Sequence, residues 1–213
     1  MAKLLLSSIA LGKDLLEENS HVTIGLSNPK SPSNVGGVMR AAGCYSVDKV
    51  LYTGRRYAHA AKFIGSKNNT DTQQSRDQIP LVAIEDFLQL KQPNMEQQLE
   101  NLPDSTKIIC VDLVEGAIPL PLFQHPDQAI YIFGPEDGTI TQTVIDQADD
   151  VVYVPTVGCM NLAATVNVLL YDRLAKSLVK QDKLDTDNTL IRKSRDTNNQ
   201  AKVKTKAVKV NAT

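Results

Sequence analysis

Apolar runs broken by Gly, Pro, Ser and Asn punctuate this chain, and their spacing switches between the strand and helix periods. His21-Val22-Thr23-Ile24-Gly25-Leu26 reads as a first strand, and residues 27–33 as a loop dense in turn formers. A helix is predicted over 34–44, with Ser33 or Asn34 as N-cap and Val35, Val38, Met39 and Ala42 facing inward. Gly36 and Gly37 in its first turn each cost about 1 kcal/mol relative to Ala, which implies a ligand or another helix lying close. Residues 49–53 predict a second strand, and 54–77 read as a polar, irregular segment. Residues 79–82 predict a short edge strand, because Pro80 cannot donate to a ladder. Residues 84–90 and 95–99 read as helix, broken at Pro93.

Residues 107–112 and 129–133 are apolar on both faces, as buried strands of a parallel sheet are. The first empties into a loop over 113–121, the second into Gly134-Pro135-Glu136-Asp137-Gly138. Thr139 or Thr141 caps a short helix reaching Ala148. Val151 to Val154 make a last strand, Pro155 stops it, and a loop turns around Gly158. From Asn161, Leu162, Val166, Leu169, Leu170 and Leu174 recur at helical spacing, toward Lys176 and Lys180. Strands alternating with helices predict an α/β fold, a mostly parallel sheet flanked by helices over residues 20–180. A helical extension over 1–19 precedes it, and a basic, disordered tail over 181–213 follows.

Composition narrows the class. No run of eighteen apolar residues exists, so no membrane span is expected. The apolar start is interrupted by Ser7 and Ser8 and followed by Lys13, Asp14 and Glu17, which suits an amphipathic helix better than a signal peptide. Cys44, Cys110 and Cys159 are odd in number and far apart, which argues for a reducing, cytoplasmic setting and against a disulfide framework or a metal site. The net charge of −1 hides an asymmetry: seven basic residues from Arg192 to Lys209 face the single acid Asp196. Such a tail is either attracted to polyanions or merely solubilising.

Three loops that each follow a strand are candidates for ligand binding: 28–40, 134–138 and 155–161. In a parallel sheet such loops converge on one crevice. None is a phosphate cradle, since neither GxxxxGK[ST] nor a helix-opening GxGxxG is present. The last loop sits on a helix N-terminus, where unpaired N–H groups and the positive dipole end gather.

Asn34-x-Gly36-x-x-x-Arg40, Phe133-Gly134-Pro135-Glu136 and Val154-Pro155-(x)3-Cys159-Met160-Asn161-Leu162 together resemble the three motifs of the SpoU/TrmH class of SPOUT RNA methyltransferases. The order and separations match over about residues 22–178. The resemblance implies a C-terminal trefoil knot, S-adenosyl-L-methionine held in it, a homodimer, and RNA as substrate. It further implies that Gly134 admits the methionine and ribose part of the cofactor, and that Val154 and the backbone through Cys159, Met160 and Asn161 hold the adenine. Val111 to Leu113 matches the third cofactor-lining loop. Glu136 and Asn34 organise the site, and Arg40 lies near the target ribose, reaching across the dimer. On residue chemistry alone, Asn161 is equally a helix cap, Glu136 a solvated loop carboxylate and Arg40 a surface charge. Arg55, Arg56 and Lys62 are candidate phosphate contacts.

Two departures stand out. Cys159-Met160-Asn161 replaces the usual Ser-x-Asn, with a weaker hydrogen-bond donor at its first position. Gly138 follows Glu136 by two residues, where the family usually has three. The expected activity is ribose 2′-O-methylation of tRNA or rRNA; the alternatives are a non-catalytic RNA-binding relative and an RNA base methyltransferase.

Overall fold

The computed structural model of the chain describes residues 20–64, 79–91, 102–184, 187–195 and 198–203. The predicted helix over 95–99 and the extension over 1–19 lie outside the described residues. Strands β1 (His21–Leu26), β2 (Lys49–Tyr52), β3 (Leu81–Ala83), β4 (Lys107–Val111), β5 (Ile118–Pro119), β6 (Gln128–Phe133) and β7 (Asp150–Tyr153) form one sheet. Its order is β3-β2-β1-β6-β4-β7-β5, and every pairing is parallel. Helices α1 (Pro32–Cys44), α2 (Arg56–Ile64), α3 (Gln142–Gln147) and α4 (Leu162–Lys180) accompany it, with 3-10 turns at Phe87–Lys91 and Leu120–Leu122.

The centre of the sheet is what its sequence demands. Ala129 to Phe133 of β6 are each at most 1% exposed, and alternate residues enter two different cores. Tyr131 and Phe133 join Val35, Met39, Val166 and Leu169 beneath α1 and α4. Ile130 and Ile132 join Phe87, Cys110, Ile140 and Val144 on the other face. Each large apolar side chain so buried contributes about 1.5–3 kcal/mol, which explains why these strands read as continuous apolar runs.

Register then levels the strand ends. Leu26 pairs with Phe133, Phe133 with Val111 and Val111 with Val152, so β1, β6, β4 and β7 finish along one edge. The chain winds outward from β1 through β2 to β3 on one side and reaches β4, β7 and β5 on the other. The loops leaving that edge around β1 and β6 therefore face a crevice, as at the switch point of any doubly wound sheet.

Several elements differ from the sequence expectation. α1 starts earlier, at Pro32, with Ser31 as its cap: the Ser31 hydroxyl accepts from Asn34 N–H, and Pro32 has no donor to waste there. The close approach expected at the α1 glycines is to a helix: a Cβ on Gly37 would stand 2.8 Å from Ala163 Cβ of α4. The irregular segment begins as helix α2, anchored by buried Tyr57, whose ring meets Tyr52 edge-on. The loop over 113–121 includes β5, a two-residue edge strand against β7. The helix expected at 84–90 is a 3-10 turn.

A polar clamp closes the opposite end of the sheet. Arg173, on the inward stripe of α4 and 7% exposed, donates to the carbonyls of Pro126 and Asp127, to Tyr131 Oη and to Ser20 Oγ. Tyr131 Oη meets His125 Nδ1 at 2.8 Å, and His125 Nε2 lies 2.9 Å from Asp172 Oδ2. Burial is the main force lowering the His125 pKa, to about 4, against the pull of the Asp172 hydrogen bond. The ring is therefore neutral at pH 7: Nε2–H donates to Asp172, and Nδ1 accepts from the tyrosine hydroxyl.

The described residues from Leu184 onward belong to a separate unit. It contains helix α5 (Thr189–Ser194), whose first residue has its N–H and hydroxyl bound to the Asp187 carboxylate at 2.9 and 2.8 Å.

Candidate functional site

The loops after β4, β6 and β7 close on a cleft that stays open to solvent on one side. Val111, Leu113, Gly134, Val154, Cys159 and Met160 all line it. So do Phe133 and Leu162, which make its walls largely apolar, and Glu136, which adds a carboxylate.

The loop after β7 is shaped by its glycine. Gly158 adopts φ of +92°, a left-handed conformation that favours Gly, and Thr156 Oγ1 donates back to Gly158 O at 2.9 Å. Asn161 then caps α4, its Oδ1 accepting from Ala163 N–H at 2.9 Å and Ala164 N–H at 3.3 Å. The cap reading of Asn161 is therefore correct. Yet its amide does a second thing, donating from Nδ2 to Asn34 Oδ1 at 2.8 Å.

Asn34 passes the connection on. Its Nδ2 donates to Glu136 Oε1 at 2.9 Å, and Glu136 also accepts from Ser31 N–H at 3.0 Å and Lys30 N–H at 2.8 Å. Glu136 is thus not a free solvated carboxylate. Partial burial pushes its pKa up, but the Asn34 amide and the backbone N–H groups outweigh burial and hold it below the ordinary value. The polar residues of three separated segments form one hydrogen-bonded chain at the rim of the cleft.

Asp112 was not singled out by sequence, and it organises the floor. Its Oδ1 accepts from Leu113 N–H and its Oδ2 from Ile140 N–H, both at 2.8 Å, which ties the loop after β4 to the loop after β6. A Cβ on Gly134 would stand 2.8 Å from that Oδ2, so any larger residue here has to displace the Asp112 carboxylate. The available sequence signal was an acid at the carboxyl end of an apolar strand, the usual place for functional groups in such sheets. Thr156 and Thr165 add hydroxyls to the lining.

Charge in the cleft is one-sided. Among the described residues its charged lining groups are Asp112 and Glu136, with no Lys or Arg. A cationic ligand is favoured there, and a phosphate-bearing one is disfavoured.

The basic candidates lie elsewhere. Arg40 is exposed on α1, six residues past Asn34 and so about 9 Å further along the helix axis, outside the cleft lining. Arg56 Nη2 donates to Asp137 Oδ1 and Oδ2 at 2.8 and 2.9 Å. Arg55 and Lys62 are exposed, the latter in the last turn of α2. No helix among the described residues is long and apolar enough to cross a membrane.

Comparison with known proteins places this geometry. The model of the SpoU rRNA methylase family matches residues 21–171. No curated protein matches the sequence. Among solved structures, the SpoU methyltransferase AviRb from Streptomyces viridochromogenes, in complex with AdoMet, superposes with a TM-score of 0.61 at 18% identity. That match covers 75% of this chain and 58% of AviRb, so the chain spans less than two thirds of that relative. The A. aeolicus TrmH/SpoU tRNA modifying enzyme superposes at 0.61 with 15% identity, over 84% of this chain and 86% of that one. An AdoMet-bound rRNA methyltransferase from Sinorhizobium meliloti gives 0.59 at 14% identity, over 78% and 60% of the two chains. At such identities these structures speak for the shared fold, while the family match spans most of the chain, cleft residues included. The chain belongs to the SpoU rRNA methylase family.

Proposed function

We propose that this protein is an S-adenosyl-L-methionine-dependent RNA methyltransferase acting on a ribose 2′-hydroxyl of tRNA or rRNA. One observation carries the cofactor assignment: an apolar cleft whose charged walls are two carboxylates, Asp112 and Glu136. A sulfonium cofactor offers a purine for the apolar walls and a positive charge for those acids, whereas a nucleotide polyphosphate would be repelled. When bound, S-adenosyl-L-methionine supplies an electrophilic methyl group.

The residues then divide the work. Val154 and the backbone through Met160 receive the adenine, Gly134 leaves room for the ribose and methionine portion, and Val111 and Leu113 close the far wall. Asp112 holds two of these loops in register through its bonds to Leu113 and Ile140. Glu136, Asn34 and Asn161 brace the rim. Transfer of that methyl to a ribose O2′ would leave the neutral thioether S-adenosylhomocysteine and release the hydroxyl proton to solvent water. Arg40, as a guanidinium, stabilises the charge developing on that oxygen or on the adjoining phosphate. Because Arg40 lies outside the cleft of its own chain, this role belongs to a homodimer in which Arg40 of the partner subunit meets the substrate. The C-terminal trefoil knot and a cytoplasmic location complete the proposal.

The test is direct. Calorimetry with S-adenosylhomocysteine should give one site per chain, and nucleoside analysis of RNA from cells lacking the protein should show loss of one 2′-O-methylated nucleoside. Loss of a methylated base instead would make it a base methyltransferase. Cofactor binding with no methyl transferred to any RNA would make it a binding protein.

A further inference from the structure

We propose that Lys30 and Arg56 form a phosphate site for the RNA at the mouth of the cleft, and that Asp137 occupies it until the incoming phosphate displaces its carboxylate. The site rests on the proposed RNA methyltransferase function and adds to it a place and a gate for the substrate backbone.

Two cations converge on one anion here. Arg56 Nη2 lies 2.8 Å from Asp137 Oδ1, and Lys30 Nζ lies 3.5 Å from Oδ2, which leaves the trio with one net positive charge. The side chains are open to solvent, at 65% for Lys30, 33% for Arg56 and 49% for Asp137, so a ligand can reach all three. Asp137 uses only Nη2 of the guanidinium. A phosphodiester, with two unesterified oxygens, matches the full planar fork and the ammonium together. An exposed pair of this kind is weak, so exchanging carboxylate for phosphate is inexpensive.

Position gives the exchange a purpose. The neighbouring acid, Glu136, is already satisfied by the N–H groups of Lys30 and Ser31 and by the Asn34 amide. Lys30 therefore ties its backbone to the rim and offers its side chain to the phosphate site. The cleft carries acids and the mouth carries cations, which sorts a cationic cofactor inward from a polyanionic substrate outside. Asp137 lies between Glu136 and Gly138, in the loop whose glycine spacing departs from the usual family pattern. As an internal anion it screens the two cations from free phosphate and small nucleotides, and yields to an RNA that makes further contacts.

The experiment compares wild type, Asp137→Asn, Arg56→Ala and the double variant in binding a fluorescein-labelled RNA hairpin of mixed sequence, across a potassium chloride series. S-adenosylhomocysteine calorimetry runs in parallel. Asp137→Asn should bind the hairpin about two- to fivefold more tightly, the scale of one exposed ion pair. Its log–log salt slope should steepen by just under one, as Arg56 is freed to neutralise a phosphate. Both gains should shrink in the double variant to the share of Lys30, the cation Asp137→Asn also frees. Equal or weaker binding by Asp137→Asn, or a gain that is undiminished without Arg56, overturns the gate. Wild type that binds S-adenosylhomocysteine but no RNA overturns the phosphate site and leaves the cofactor assignment standing. Wild type that binds no S-adenosylhomocysteine sinks the methyltransferase proposal itself.

Discussion

Asn34 and Asn161 stand 127 residues apart in sequence and meet amide to amide, Nδ2 of Asn161 donating to Oδ1 of Asn34 at 2.8 Å. The direction of every bond in this chain is forced from its two ends. Ionised Glu136 only accepts, so Asn34 must turn Nδ2 toward it and Oδ1 toward Asn161. The first N–H groups of α4 only donate, so Asn161 must give them Oδ1 and keep Nδ2 for Asn34. One protonation state and one orientation of each amide satisfy all the groups. Asn34→Asp breaks that logic by setting a second carboxylate against Glu136. It should lose about 1–3 kcal/mol at pH 7, more than Asn34→Ala, and recover part of the loss near pH 4–5 as the pair takes up a proton. Urea unfolding of the variants at both pH values measures this; an aspartate milder than the alanine would mean the carboxylates do not meet.

Gly134→Ala tests the floor of the cleft. The new methyl would stand 2.8 Å from Asp112 Oδ2 and 3.3 Å from Ile140 N, both held in place by a hydrogen bond to each other. Asp112 must move, which frees the loops after β4 and β6 from one another. S-adenosylhomocysteine affinity should fall at least about tenfold, equivalent to roughly 1.4 kcal/mol. Calorimetry reads it, and an affinity within twofold or so of wild type would show that the floor yields cheaply.

Arg40→Ala separates binding from chemistry. Arg40 is exposed and outside the cleft lining, so its removal should leave S-adenosylhomocysteine affinity intact and change stability by no more than about 0.5 kcal/mol. Methyl transfer should fall by a factor on the order of 100–1,000, the usual cost of removing one group that stabilises a developing oxyanion. Single-turnover assays with labelled cofactor decide it, and near-normal transfer would release Arg40 from any role in the reaction.

What could be read beforehand followed from local physics. β1, β4 and β6 announced themselves because strands covered on both faces have no polar alternation, and α4 because Leu162, Val166, Leu169 and Leu170 share one buried stripe. α2 was missed because, among its described side chains, Tyr57 is the only large one buried, too little to show a period. β5 was missed because two residues have no pattern at all, and only pairing with β7 makes them a strand. At the site, the lining residues were legible as loops at strand ends. The rim contacts of Glu136 with Asn34, and of Asn34 with Asn161, were not, since each bond spans more than 100 residues. Arg173 did leave a trace: a charge three residues past Leu170, on the inward stripe, has to be buried with partners. Those partners, carbonyls and hydroxyls rather than carboxylates, come from three other segments and have no local signature.

That clamp makes stability depend on pH in a definite direction. His125 is 5% exposed with its pKa lowered to about 4, mainly by burial, while an unfolded chain returns it to about 6.5. Between those values the unfolded state binds more protons than the folded one, so acidification favours unfolding. Stability is full above the unfolded pKa and drains away as pH falls from about 6.5 toward 4. Integrating from pH 7 to pH 5, His125 alone should remove roughly 2 kcal/mol. His125→Gln retains two hydrogen-bonding atoms but cannot titrate; it should begin less stable at pH 7 and lose less on the way to pH 5. The His21–Asp48 pair, 3.4 Å apart, is the same in both proteins, so whatever it contributes cancels in the difference. Urea midpoints for the two proteins should therefore converge as pH falls, and parallel curves would place the pH dependence in groups other than His125.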